Sequence, residues 1–252
     1  MRRIGIIGCG NIAALISESD LNGVVVAVFD RHENRAGRVA EKLGAKAYTE
    51  FSAFLGETYD LVIEIASVEA VQNYAEAVLK QGCDLLILSA GALADPALRT
   101  RLSALAEAQG RRILVPSGAL FGLDNAKIAR RDGVETITMR STKPPASFGR
   151  EDRTRQCLFE GSVTECIRHY PKNVNAAVAL SLAARKEVRI ELWADPAVSM
   201  ITHELHLCGA FGEMTMKIEN RPSPGHPATS YLAALSVAAT LEDMDTTLQI
   251  GT

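Results

Sequence analysis

Apolar positions along the first half of the chain cluster in short runs separated by longer stretches of mixed character. The runs Ile4–Ile7, Val24–Phe29, Asp60–Ile65, Leu85–Leu88 and Arg112–Val115 are too short for helices, and their consecutive apolar residues predict strands buried on both faces. Between them, Asn11–Glu18, Glu33–Leu43, Val68–Lys80 and Ala97–Gln109 read as helices. Asp95-Pro96 opens the last of these as cap and first turn, and Gly82 and Gly110 act as stops. Strands alternating with helices over short connections predict a doubly wound parallel sheet, because parallel neighbours need crossover connections.

The pattern changes after Pro116. Val134–Arg140, Val188–Trp193, Thr202–Leu207 and Glu213–Ile218 alternate apolar and polar residues, which predicts a mostly antiparallel sheet with one covered face. Val174–Ala184 and Ser230–Leu241 read as helices, and the segment from Lys143-Pro144-Pro145 to Asp152 reads as an exposed loop. The expected class is α/β, with an N-terminal doubly wound domain over residues 1–116 and a smaller α+β domain over 117–252 for substrate, catalysis and oligomerisation. A C-terminal helix near 230–245 is expected to pack back on the first domain.

The turn after the first strand, Gly8-Cys9-Gly10-Asn11-Ile12-Ala13, gives this architecture a chemistry. It follows the Gly-x-Gly-x-x-Gly/Ala pattern: the first glycine permits the tight turn, the second lets backbone approach a pyrophosphate, and the small third residue lets helix and strand pack. Main-chain N–H groups of Asn11 and Ile12 then begin a helix whose dipole favours phosphate. Asp30 ends the second strand 20 residues after Gly10, where an acid can bind ribose hydroxyls. Together these predict a Rossmann domain for NAD or NADP, with Arg31 and nearby Arg35 available to a 2′-phosphate. An S-adenosylmethionine enzyme can use the same loop and acid.

Composition narrows the partners. Thirty acidic and 27 basic residues give a net charge of −3 with no basic tract, which argues against nucleic acid. The five cysteines, Cys9, Cys83, Cys157, Cys166 and Cys208, are odd in number, widely spaced and mostly in apolar runs, as expected of reduced core thiols in a cytoplasmic protein. No metal-ligand spacing and no apolar stretch of membrane-spanning length is found, so neither metal nor membrane is expected.

From Asp60 onward the residues resemble the L-aspartate dehydrogenase family. The blocks are Val62-Ile63-Glu64-Ile65-Ala66-Ser67, Leu88-Ser89-Ala90-Gly91-Ala92-Leu93-Ala94-Asp95, Val115-Pro116-Ser117-Gly118-Ala119-Leu120-Phe121-Gly122-Leu123-Asp124 and Tyr170-Pro171-Lys172-Asn173-Val174-Asn175-Ala176-Ala177. Ala194-Asp195-Pro196, His203-Glu204 and Gly209-Ala210-Phe211-Gly212 follow in order. The resemblance implies NAD(P)-dependent, reversible oxidative deamination of L-aspartate to oxaloacetate and ammonia through iminosuccinate, with a place in NAD biosynthesis. It also implies cofactor contacts at Ala66, at Ala119 and at Asn173 or Asn175, and catalysis by His203. The chain departs from the family pattern at Ile201, where an asparagine is expected, and at His226-Pro227-Ala228-Thr229-Ser230, where Asn-Pro-Lys-Thr-Ser is expected.

Histidine suits a reaction that moves protons from nitrogen and water, since its ordinary pKa of ~6.5 lies near working pH. Without the resemblance, His203 is equally a histidine on the polar side of a strand, and Asn173 or Asn175 a helix cap. His206 has the opposite strand parity from His203, so the two are not expected to share a metal. His169 and His226 read as surface or structural; Lys143, Arg150 and Lys172 are candidate carboxylate partners, although a solvated charge is the more common reading of each. A covered sheet predicts a homodimer. The competing functions are a dinucleotide-binding regulator or redox sensor without turnover, and a dehydrogenase of another small substrate such as a semialdehyde.

Overall fold

A computed structural model describes residues 1–19, 21–131, 133–171, 174–223, 226–248 and 250; at 222 and 226–229 it describes the backbone alone. The chain divides into two compact units, Met1–Pro116 with Ala234–Thr247, and a second that runs over Ser117–Ala233.

In the first unit, strands β1 (Arg2–Ile7), β2 (Gly23–Phe29), β3 (Lys46–Tyr48), β4 (Leu61–Glu64), β5 (Asp84–Ile87) and β6 (Ile113–Leu114) form a sheet of order β3-β2-β1-β4-β5-β6. Every pair in it is parallel. Ile4, Ile6, Ile7, Ala27, Val28, Leu61, Val62, Ile63, Leu85, Leu86 and Ile87 are buried, as strands covered on both faces require. Helices α1 (Asn11–Ile16), α2 (Glu33–Leu43), α3 (Phe51–Phe54), α4 (Val68–Lys80) and α5 (Pro96–Ala108) connect the strands. The predicted caps are present where side chains can reach: Asp95 accepts from the Ala97 N–H, and Ser67 from that of Ala70. Strand order reverses between β1 and β4, and a ligand crevice opens beyond the carboxyl ends of strands at such a switch point. The edge strand β3, Lys-Ala-Tyr, carries no apolar run and escaped the sequence pattern. At the other end of the chain, Asp245 accepts hydrogen bonds from Arg2 (2.5 and 3.2 Å) and Asn22 (2.9 Å).

The second unit begins with α6 (Leu123–Ala126) and centres on five strands, β7 (Val134–Lys143), β8 (Gln156–Ser162), β9 (Arg189–Ala194), β10 (Ile201–Gly209) and β11 (Gly212–Asn220), in the order β11-β10-β7-β9-β8. All neighbours are antiparallel except β7 and β9, which run parallel. One face is apolar along Ile137, Met139, Ile190, Leu192, Leu205 and Leu207, all buried. The other carries ion pairs between Arg140 and both Glu191 and Glu204, and between His206 and Glu213. Helices α7 (Val163–His169) and α8 (Asn175–Ala184) follow β8, α7 opening with a Ser162–Glu165 capping box. The last helix, α9 (Tyr231–Asp243), crosses from the second unit into the first at Ala234.

Three local expectations are corrected. Lys143 is not a loop residue: it ends β7, its carbonyl accepts from the Asp195 N–H at 3.0 Å, and it pairs with Ala194. The Pro145–Phe148 turn after it buries Pro145 and Ser147, so this stretch is not an exposed loop. Cys157 is exposed on β8 rather than in the core.

Candidate active site

The first unit brings Gly8, Gly10, Asp30, Arg31 and Ala66 to one open cleft at the carboxyl ends of β1, β2 and β4, walled further by Phe29, Ser67 and Tyr74. Gly8 has φ +101°, and a Cβ there would stand 2.6 Å from the Ala66 Cβ, so only glycine lets the loop cross the end of β4. A Cβ on Gly10 would meet nothing within 4 Å; the space beside it belongs to the cleft, not to the protein. Asn11 and Ile12 begin α1, and the Asn11 Nδ2 is buried without a partner among the described residues. Free space at one glycine, an orphaned amide and a fixed carboxylate fit a bound dinucleotide.

Two acids shape this cleft. Asp30 is held from both sides, its Oδ2 accepting from the Cys9 N–H at 2.9 Å and its Oδ1 from the His32 N–H at 2.8 Å. The acid thus ties the glycine loop to the turn after β2. Glu64, 2% exposed, has no place in the sequence reading. Its carboxylate accepts from the N–H groups of Ala66 (2.8 Å), Ser67 (2.9 Å) and Ser89 (3.1 Å) and from the Ser89 hydroxyl (3.0 Å). Burial pushes its pKa up to about 7 against the pull of these four donors. Its signal was one acid inside the apolar run Leu61–Ile65. Arg31 reaches Glu69 at 3.8 Å, both side chains exposed on the cleft rim.

In the second unit, His203 lies on the covered face of β10 and is 3% exposed. Burial, aided by the charge of Lys143, pushes its pKa down to about 3 and keeps the imidazole neutral. Its Nδ1 has no partner among the described residues, and neither has the Oγ of Ser141, its opposite number on β7. Ala119 sits in the turn Ser117–Leu120, closed by a Leu120 N–H to Ser117 carbonyl bond. The Asn220 amide donates to the Ala119 carbonyl at 2.9 Å. Asn220 is buried opposite Ile201, two residues from His203 along β10, so it links the Ala119 turn to the histidine's face of the sheet. Asn175 opens α8 one residue after the cap position, which Val174 holds without a side-chain bond. Asn173, like Lys172, lies outside the described residues. His206 is on the opposite face, bonded to Glu213 at 2.6 Å.

A dinucleotide cleft in one unit and a buried neutral imidazole in the other invite comparison with known dehydrogenases. Residues 124–244 match the profile of the family "Aspartate dehydrogenase, C-terminal", and residues 4–116 that of "Homoserine dehydrogenase, NAD binding domain". An L-aspartate dehydrogenase of Methanospirillum hungatei is 44% identical over 251 residues, covering all of both chains. This chain belongs to the L-aspartate dehydrogenase family. Another member, from Methanocaldococcus jannaschii, is 37% identical over 269 residues, again covering both chains completely. The crystal structure of aspartate dehydrogenase from Thermotoga maritima superposes with a TM-score of 0.81 at 29% identity, covering 99% of each chain. Membership makes the chain an NAD(P)-dependent oxidoreductase and the first unit its NAD-binding domain.

Beyond Glu64, sequence reasoning passed over Ser141 and Asn220 and read Lys143 as a solvated charge, missing its burial. All three are polar residues at inward-facing strand positions, a mismatch between parity and polarity that marks a buried polar site.

Proposed function

We propose that the chain catalyses the reversible oxidation of L-aspartate to oxaloacetate and ammonia with NAD or NADP. The observation that carries this reading is the buried, neutral His203 with its unpartnered Nδ1, in a chain whose other unit holds a dinucleotide cleft. When bound, the cofactor accepts a hydride from the substrate Cα. Gly8, Gly10, Asn11 and Ile12 would hold its diphosphate, and Asp30 its adenosine ribose. Arg31 would meet a 2′-phosphate where NADP is used, with Ala66, Ala119 and either Asn173 or Asn175 completing the contacts. An imidazole held unprotonated at neutral pH can take the proton of the water that adds to the iminosuccinate carbon. The resulting carbinolamine loses ammonia, and the carbonyl of oxaloacetate forms.

Three further points belong to the same proposal. Among the described residues no helix is long and apolar enough to cross a membrane, and a cytoplasmic location is part of the proposal. The open outer face of the second sheet suits association of two copies, and a homodimer is expected by sedimentation. Supply of iminosuccinate to NAD biosynthesis fits the reaction's intermediate. The deciding assay follows NAD(P)H at 340 nm with aspartate, and its consumption with oxaloacetate plus ammonia. Tight NADH binding with no turnover in either direction would instead make the chain a dinucleotide-binding regulator.

A further inference from the structure

The polar end of the second unit's covered sheet face holds more than proton transfer requires. Ser141 and His203 stand opposite each other in the β7–β10 ladder, so their side chains share one face at neighbouring positions. Lys143, two residues beyond Ser141, shares that face by the period of the strand. Ser141 is 1% and Lys143 5% exposed. The Ser141 hydroxyl and the His203 Nδ1 lack partners among the described residues, although buried polar atoms are nearly always hydrogen-bonded. Around them the face is apolar at Met139, Leu205, Ile190 and Leu192, and the buried amide of Asn220 is engaged with the Ala119 carbonyl, so this is a confined polar spot and not a solvated edge. Burial pushes the Lys143 ammonium down to about 8, and its Nζ lies 5.8 Å from the Phe148 ring centre.

We propose that Ser141 and Lys143 form the subsite for a carboxylate of a small dicarboxylate substrate, beside His203. The identity of that ligand rests on the dehydrogenase reading above. A carboxylate only accepts hydrogen bonds, an ammonium only donates, and a hydroxyl can donate: the pair matches one carboxylate with a charge-assisted bond and a neutral one. The same ligand acts on the base. Lys143 adds to the burial that holds His203 unprotonated. A carboxylate seated on Lys143 offsets that field, so His203 gains basicity when substrate is in place. Selectivity and activation thus come from one contact.

The experiment uses succinate, which carries two carboxylates and no amine to oxidise. Calorimetry on the NADH complex is run for the wild type, Lys143→Met and Ser141→Ala, beside NADH titrations, melting temperatures and the KM for aspartate. Expected are succinate affinity weakened about 30-fold or more in Lys143→Met and about 5-fold in Ser141→Ala, with NADH affinity unchanged and the KM for aspartate rising in parallel. Wild-type succinate affinity and KM in both variants, while aspartate is still oxidised, overturns the subsite and leaves the reaction intact. Parallel loss of NADH binding in a variant with wild-type melting temperature also overturns it. Should the wild type bind succinate and lose it in the variants yet oxidise no aspartate, the subsite stands and the proposed reaction falls. If Lys143→Met does not fold, Ser141→Ala decides alone, since it removes a single unpartnered oxygen.

Discussion

Each unit buries a titratable side chain, and the two are treated in opposite ways. Glu64 in the first unit meets four donors from the loops after β4 and β5, and burial raises its pKa to about 7. His203 in the second has an orphaned nitrogen, and burial lowers its pKa to about 3. A satisfied carboxylate is scaffolding: it sets the shape of the Ala66–Ser67 loop that lines the dinucleotide cleft. An unsatisfied imidazole is unfinished until something arrives. On the proposed reading, the first unit receives the cofactor on preformed backbone and the second carries the reaction.

The largest effect expected from that contrast is on turnover. His203→Ala should lower kcat/KM for aspartate by about 10²–10⁴-fold while NADH affinity, read by fluorescence titration, stays at the wild-type value. Equal losses in both would end the division of labour. The reverse case is Gly8→Val. With φ +101° and Ala66 2.6 Å from any Cβ, it should cost about 1–3 kcal/mol in backbone strain alone and abolish NADH binding together with activity. Retained NADH affinity would show that the loop does not carry the cofactor.

A subtler break concerns pH. Glu64 is raised from its ordinary 4.5 to about 7, so the folded state binds more protons than the unfolded one in that interval. Its contribution is full below about 4.5 and lost as pH rises through about 7. His203, lowered from 6.5 to about 3, has the opposite sign: its contribution is present above 6.5 and lost as pH falls toward 3. Melting temperature against pH should therefore lose its decline between 4.5 and 7 in Glu64→Gln, and its low-pH decline in His203→Leu. Curves parallel to wild type in both variants would mean that neither group is linked to folding. The smallest effect is expected at Asn220→Ala, which leaves the Ala119 carbonyl without its 2.9 Å donor. The loss is about 1 kcal/mol, or roughly 2–4 °C in Tm, with a modest rise in the Kd for NADH.

The same contrast explains what could be read in advance. The cleft of the first unit is legible because its parts are local: a strand, a glycine turn, a helix start and an acid at the next strand end lie within residues 4–30. The proposed site of the second unit draws on Ala119, Ser141, Lys143, His203 and Asn220, from segments as much as 101 residues apart. The resemblance could point to Ala119 and His203, and Lys143 was in view as a candidate carboxylate partner, but its burial was hidden by its neighbours. Pro144-Pro145 signals a loop, and only the bond to Asp195 and the pairing with Ala194 carry the strand through Lys143. Glu64 was visible as an odd residue in an apolar run, but nothing local says that four donors would meet it.

The sequence by itself determined the strand–helix alternation, the glycine turn with Asp30, and the change to alternating strands after Pro116. These follow from side-chain periodicity and backbone sterics, which act over a few residues. The tertiary structure alone decided that Ser141 opposes His203, that Lys143 is buried beside them, and that Asn220 holds Ala119. Strand register brings distant residues to one face, and burial then sets the charge each can carry.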